Sequence, residues 1–317
     1  MTGGDARIPV TLVTGFLGSG KTTLLTALLR RPELGPFAVV INEFGEIPLD
    51  QTLIGRVEGQ VAVLSGGCLC CGIGGDFATT LLDLHALRAE KPFQRVVIET
   101  SGLADPGPLL APLVQDLKLT QVYRVDGVVA VVDALQGFRE LERQKVSVKQ
   151  VALADRIVLS KSDIAAPLAV ARLKVRLAEI NPFAPFVVAN HGAVEGAWLF
   201  DPAPGAAIRY AGLPGGSAHD REHAQGIRAF CLWFDAPFSW DTFADAFRGL
   251  AEAHGEAILR LKGVLNIEGR PVAAHGVQHF LHAPEPLAGW PDDERRSRLV
   301  VIADRLTETQ LRDFFPA

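Results

Sequence analysis

Two short stretches concentrate the chemistry of this chain: GFLGSGKTT at 15–23 and GGCLCCGIGG at 66–75. The first reads G-x-x-x-x-G-K-[ST], preceded by the β-branched run Val10 to Thr14 and followed by the helix-favouring stretch Thr23 to Leu29. In that strand–loop–helix setting, glycines allow a tight loop whose N–H groups surround phosphate oxygens. Lys21 reaches the β- and γ-phosphates, Thr22 ligates Mg²⁺, and the helix start adds partial positive charge. The pattern predicts a nucleotide site.

The second stretch holds three of the four cysteines. Cys70 and Cys71 are neighbours and poor disulfide partners, and three clustered thiols are the wrong arithmetic for a disulfide framework. A nucleophile needs a base nearby, yet the only histidine between the phosphate loop and residue 190 is His85, which reads as a surface helix position. A metal site is the favoured reading: soft thiolates at Cys68, Cys70 and Cys71 select Zn²⁺, Cu(I) or iron–sulfur chemistry. Three ligands leave a coordination position open, for which Glu43 and Glu46 of NEFGEIPLD (42–50) are candidates. That acidic segment holds the place of a loop that senses a γ-phosphate. Cys231, in IRAFCLWF, reads as a small buried hydrophobe.

Two further motifs follow strands. ETSGLADP places Glu99 and Gly102 as an acid-x-x-Gly element, suited to organising Mg²⁺-bound or attacking water and offering an N–H to the γ-phosphate. SKSD places Lys161 and Asp163 where a lysine stem stacks under a purine and a carboxylate accepts from guanine N1–H and N2–H₂, favouring GTP over ATP.

Positioning these groups requires a sheet. Apolar runs at Phe37–Ile41, Val61–Leu64, Arg95–Ile98, Gly127–Val132 and Arg156–Leu159 read as buried strands, with helices at DFATTLLDLHALRAE and LAVARLKVRLAEI. The expected fold is α/β: a P-loop domain with a mostly parallel sheet over residues 1–200, a Gly/Pro-rich linker at 201–226, and a smaller α+β domain at 227–317. In the last, IRAFCLWF, AILRLKGVLNI and RRSRLVVIAD read as strands. WDTFADAFRGLAEAHG reads as a helix with a glycine stop and TETQLRDFF as a final helix. His275, His279 and His282 read as packing or partner contacts rather than a metal site.

The chain has 317 residues, a formal net charge of −5 and 48% hydrophobic residues. That charge gives no reason to expect nucleic acid or an anionic membrane. No apolar run approaches the roughly 20 residues of a bilayer span, and the amino-terminal stretch does not read as a signal peptide. A cytoplasmic location is expected.

GFLGSGKTTLL, NEFGE, GGCLCC, ETSGLADP and KSD, in that order, resemble the CobW-like GTPases. The resemblance continues through RVDGVVAVVDA, KQVALADRIVL, LRLKGVLNIEGRPVAAHGVQHF and RRSRLVVIADRLTE, from Pro9 to about Phe314. It implies a GTPase that holds zinc on its Cys-x-Cys-Cys motif and passes it to a client metalloprotein. Alternatives are a cobalt or iron insertion factor, a zinc-sensing GTPase without transfer, or a thiol redox switch; a homo-oligomer is compatible with each. Carried over residue by residue, Gly15, Gly18, Ser19, Gly20, Lys21, Thr22 and Thr23 hold phosphates and Mg²⁺, with Lys21, Glu99 and Gly102 as the hydrolytic apparatus. Lys161 and Asp163 recognise guanine, and Cys68, Cys70 and Cys71 take the metal. Three departures stand out. Ser160 replaces a frequent asparagine, Pro48 replaces a small residue, and the linker offers only His219 and His223 instead of a histidine run. No internal arginine finger is evident, so slow intrinsic turnover is expected.

Overall fold

The computed structural model describes residues 6–42, 63–65, 74–189, 191–200 and 226–315. The chain divides into two compact units, Met1–Leu173 with Pro185–Asp201 and Lys174–Ala184 with Pro202–Ala317. The expected linker at 201–226 lies, except for Gly226, outside the described residues, as do Cys68, Cys70, Cys71, Glu43, Glu46, Pro48, His219 and His223.

The first unit is built on seven strands: β1 (Ile8–Thr14), β2 (Phe37–Asn42), β3 (Val63–Ser65), β4 (Arg95–Thr100), β5 (Tyr123–Asp133), β6 (Arg156–Ser160) and β7 (Phe186–Ala189). Their order is β3-β2-β4-β1-β5-β6-β7, and every pairing is parallel. The inner strands β1, β4, β5 and β6 read as near-continuous apolar runs because they are buried, whereas the edge strand β7 leaves Phe186 and Val188 exposed. On one face Leu24, Leu25, Leu28 and Leu29 of α1 (Lys21–Leu29) pack with Val13, Val39, Val97, Val131 and Val158. α2 (Gly74–Leu87) is tied to β5 where the buried Tyr123 hydroxyl donates to the Leu81 carbonyl at 2.8 Å, and burial pushes the Tyr123 phenol far above its ordinary range. His85 on the same helix is exposed, as the sequence suggests.

Parallel pairing puts all seven carboxyl ends on one edge. The sheet order reverses around β1, with β4, β2 and β3 on one side and β5, β6 and β7 on the other. Open α/β sheets bind ligands at such a switch point, and the loop after β1 is the G-x-x-x-x-G-K-T segment.

Short helices escape the sequence reading. These are α3 (Gly107–Gln115), α4 (Leu117–Val122), α5 (Gly137–Arg143), α6 (Lys145–Leu153) and α8 (Gly196–Phe200). Each has nine residues or fewer, too short for a clear 3.6-residue period. α7 (Pro167–Ile180) falls where its periodicity predicts.

The second unit carries an antiparallel sheet of order β11-β10-β9-β13-β8, with β12 paired to β10. Its strands are β8 (Ile227–Phe234), β9 (Ile258–Ile267), β10 (Arg270–Val277), β11 (Phe280–Leu281), β12 (Glu285–Pro286) and β13 (Ser297–Asp304). β10 was not anticipated from its sequence. α9 (Trp240–His254), capped where the Ser239 hydroxyl accepts from the Thr242 N–H, buries Phe243, Phe247 and Leu250 in a core with Leu261, Leu265, Leu299 and Val301. α10 (Glu308–Arg312) closes the unit with a reciprocal Thr307–Gln310 capping box. α9 stops at the expected glycine, Gly255, which follows its last residue, His254. Gly255 has right-handed helical angles (φ −55°, ψ −37°) instead of the left-handed ones of a terminating glycine, and an added Cβ would lie 2.5 Å from the Ala251 carbonyl oxygen. Room, not handedness, selects glycine there. Among the described residues, no helix is long and apolar enough to cross a membrane.

Candidate nucleotide site

The phosphate loop is shaped by what it touches. Gly15 (φ 143°) leaves β1 so close to β5 that an added Cβ would collide with the Val131 carbonyl oxygen. Gly18 and Gly20 have φ 71° and 98°, left-handed angles that favour glycine. Ser19 closes the turn through its N–H to the Phe16 carbonyl (3.2 Å), and Gly20 caps α1 without a side-chain bond. The first turn of α1 carries no acidic residue. Its N–H groups and the helix dipole therefore face an anion without internal competition. Thr23 lies exposed on that turn.

Lys21 is 7% exposed, and its ammonium folds back to donate to the carbonyls of Gly15 (3.0 Å) and Phe16 (3.2 Å). Beside it the Thr22 hydroxyl donates to Glu99 Oε1 at 2.8 Å. The β1–β4 register, Val13 opposite Glu99, brings this acid to the loop, and the buried Thr100 hydroxyl donates to Thr14 Oγ1 at 2.9 Å and locks the two strand ends. Glu99 itself is 3% exposed. Gly102 presses on the phosphate loop: an added Cβ would lie 2.7 Å from the Leu17 nitrogen. Only glycine fits between the acid-x-x-Gly segment and that backbone.

The Ser160–Asp163 loop reaches the phosphate loop from the other side. The Ser160 hydroxyl donates to the Ser19 carbonyl at 2.6 Å. The Lys161 ammonium donates to the Gly18 carbonyl (2.8 Å) and to Asp133 Oδ2 (2.6 Å). Asp133 ends β5 level with Ser160, and its Oδ1 accepts from the N–H of Leu135 and Gln136. Lys161 adopts φ 55°, an unusual angle for a non-glycine residue. Asp163 keeps a partly exposed carboxylate with His191 Nε2 3.9 Å away. The serine that replaces asparagine thus spends its hydroxyl on the phosphate loop.

The structure therefore brings Gly15, Gly18, Ser19, Gly20, Lys21, Thr22, Glu99, Gly102, Lys161 and Asp163 to one sheet edge. Sequence reasoning missed Asp133, although an acid at a strand's carboxyl end is a signal. It also missed Glu140 on α5, whose carboxyl is pushed up by burial and by the charge of Asp133, against the pull of Lys161 and Lys21. In the second unit, His279 and His282 line an open groove of about 610 Å³ with Trp240, Phe247 and Glu252. No group of three or more His, Cys, Asp or Glu suited to a metal occurs among the described residues. Cys231 is half-buried, and burial raises its thiol, which suits the packing role read from the sequence.

A parallel sheet with a phosphate loop after its central strand, an acid on the loop threonine and a Lys-x-Asp loop beside it defines a P-loop nucleotide-binding protein. Residues 9–188 match the CobW/HypB/UreG nucleotide-binding domain, and residues 227–317 match the cobalamin synthesis protein cobW C-terminal domain. The chain belongs to the CobW/HypB/UreG family. It is 34% identical over 317 residues to the zinc chaperone YjiA of Escherichia coli, covering 97% of this chain and 98% of that one. It is 32% identical over 347 residues to the zinc chaperone CobW of Pseudomonas aeruginosa, covering 96% and 90%. The crystal structure of Zn(II)-bound YjiA GTPase from E. coli superposes with a TM-score of 0.74 at 28% identity, covering 97% of this chain and 98% of that one.

Proposed function

We propose that the chain is a GTP-hydrolysing metallochaperone that takes zinc on Cys68, Cys70 and Cys71 and passes it to a client apoprotein in the cytoplasm. The observation that carries the nucleotide half is the double tie of Ser160 and Lys161 to the carbonyls of Ser19 and Gly18. It joins a base-reading loop to a phosphate loop in one rigid cradle. Asp163 accepts from guanine N1–H and N2–H₂, and adenine leaves that carboxylate unmatched. Lys21 exchanges loop carbonyls for β- and γ-phosphate oxygens when the nucleotide enters. The Thr22–Glu99 pair fits Mg²⁺, which, when bound, neutralises charge on the β- and γ-oxygens. Glu99 orients the attacking water, and the Gly102 N–H is offered to the γ-phosphate.

The metal half rests on different support. The relatives named above are zinc chaperones, and three thiolates favour a soft ion. The cysteine motif follows β3, whose carboxyl end shares the edge of the phosphate loop. In this reading residues 1–200 form the GTPase, 201–226 the linker, and 227–317 a module that faces the client or regulates the GTPase. The match to a cobalamin-synthesis domain favours cobalt delivery as the second reading; GTP turnover measured with Zn²⁺, Co²⁺ and Fe²⁺ in turn separates the two.

The deciding experiment replaces Cys68, Cys70 and Cys71 with serine and titrates zinc and GDP separately. Tight zinc binding disappears while GDP affinity stays within about threefold, a difference below 1 kcal/mol. Unchanged zinc affinity overturns the assignment.

A further inference from the structure

Lys149 and Gln150, of the KQVALADRIVL stretch, contact neither the phosphate loop nor the base-reading loop through any hydrogen bond described above, yet both reach the acid-x-x-Gly segment. Lys149 Nζ lies 2.6 Å from Asp105 Oδ2. Gln150, 1% exposed, donates from Nε2 to the carbonyls of Gly102 (3.2 Å) and Ala104 (3.1 Å). With Gly102 already seated on Leu17, the 102–105 segment is held between the phosphate loop on one side and α6 on the other.

The remaining polar atom of Gln150 has another destination. Its Oε1 and the Ser147 hydroxyl are both buried without a hydrogen-bond partner, and Ser147 is 4% exposed. Both residues line a cavity of about 10 Å³ whose other walls include Gly15, Phe16 and Glu140. That volume suits one water molecule. The two buried groups, costly to leave unmatched, face a space just large enough for one water beside Gly15 and Phe16 of the phosphate loop.

We propose that Gln150 is a positioning residue for GTP hydrolysis. Its amide sets the height of the Gly102 N–H relative to the phosphate loop, and its carbonyl oxygen shares an ordered water with Ser147 beneath Gly15. It touches no substrate. α6 ends at Leu153, just before β6 delivers Ser160 and Lys161, so the same helix braces the γ-phosphate side while leading into the base side. This inference rests on the GTPase reading above.

The test uses the full chain with GTP and Mg²⁺, comparing wild type with Gln150→Leu, Gln150→Asn, Ser147→Ala and Lys149→Ala. Loss of two amide bonds made to a segment that acts in the transition state lowers kcat of Gln150→Leu about tenfold, with KM and GDP affinity within about threefold. Ser147→Ala, which removes only one partner of the water, lowers kcat about two- to threefold, and Lys149→Ala, at the surface, has a smaller effect. Gln150→Asn, which keeps the amide on a shorter stem, recovers part of the loss. Wild-type kcat in Gln150→Leu overturns the proposal. So does a loss in which KM rises while GDP affinity and melting temperature fall with it, because that is the mark of a merely structural glutamine. If Gln150→Leu does not fold, Ser147→Ala decides alone: unchanged kcat overturns the proposal and a selective fall supports it. Failure of the wild-type chain to hydrolyse GTP would instead sink the underlying GTPase reading.

Discussion

Thr22 and Glu99 stand 77 positions apart in the chain and 2.8 Å apart in space, the hydroxyl of one donating to the carboxylate of the other. This bond couples the first turn of α1 to the end of β4. Its geometry follows from the β1–β4 register and from the Thr14–Thr100 bond beside it.

Glu99→Gln keeps the shape of the side chain and removes its charge. GTP turnover is expected to fall by about 10²-fold, the usual scale of a positioned acid or base, with GDP affinity nearly unchanged. Phosphate release measured beside a fluorescent-GDP titration checks this, and a wild-type rate removes Glu99 from the hydrolytic apparatus.

Ser160→Ala deletes the bond to the Ser19 carbonyl. A hydrogen bond of this kind contributes about 1 kcal/mol, so GDP binding weakens by about fivefold. Lys161 still holds Gly18, which keeps the loss moderate. Calorimetric titration of GDP reads the effect; equal affinity means the tie does not shape the cradle.

Phe243→Ala hollows the core beneath α9, where Phe243 is fully buried between Phe238 and Phe315. The expected cost is about 3–5 kcal/mol. Because the chain has two compact units, denaturant unfolding followed by two probes is needed, one reporting nucleotide binding and one overall helix content. The earlier transition should appear without loss of nucleotide binding at low denaturant.

Arg298, 2% exposed, is gripped by Asp292 through two bonds of 2.6 and 2.9 Å. Arg298 holds the Asp292 carboxyl below its ordinary value, against the opposing effect of burial. A depressed carboxylate stabilises the fold fully above its unfolded pKa, about 3.9, and that contribution is lost as pH falls through the folded value. Asp292→Asn is therefore expected to cost about 1 kcal/mol at neutral pH, modest because the aspartate is partly exposed. The gap from wild type should close below about pH 4. Melting temperatures across that range test the sign: a gap that widens on acidification contradicts it.

Much of the site was legible because its determinants are local. The phosphate loop needs glycines at fixed offsets, a lysine and a threonine, all within nine consecutive residues, and the β-branched run before it can only be a buried strand. The acid-x-x-Gly and Lys-x-Asp elements were found because each follows an apolar run. α9 showed its periodicity over four turns. By contrast, α3 to α6 were hidden by their brevity.

What the chain order could not decide is which distant groups meet. Ser160 and Ser19 are 141 positions apart, Lys161 and Gly18 143, and Gln150 and Gly102 48. Chemistry at each position was readable from residue type and local spacing, since backbone geometry and side-chain functional groups are local properties. Their partnerships arise only when parallel registers such as Val13 with Glu99 and Asp133 with Ser160 bring strand ends level, because packing across the sheet, not proximity along the chain, sets those distances.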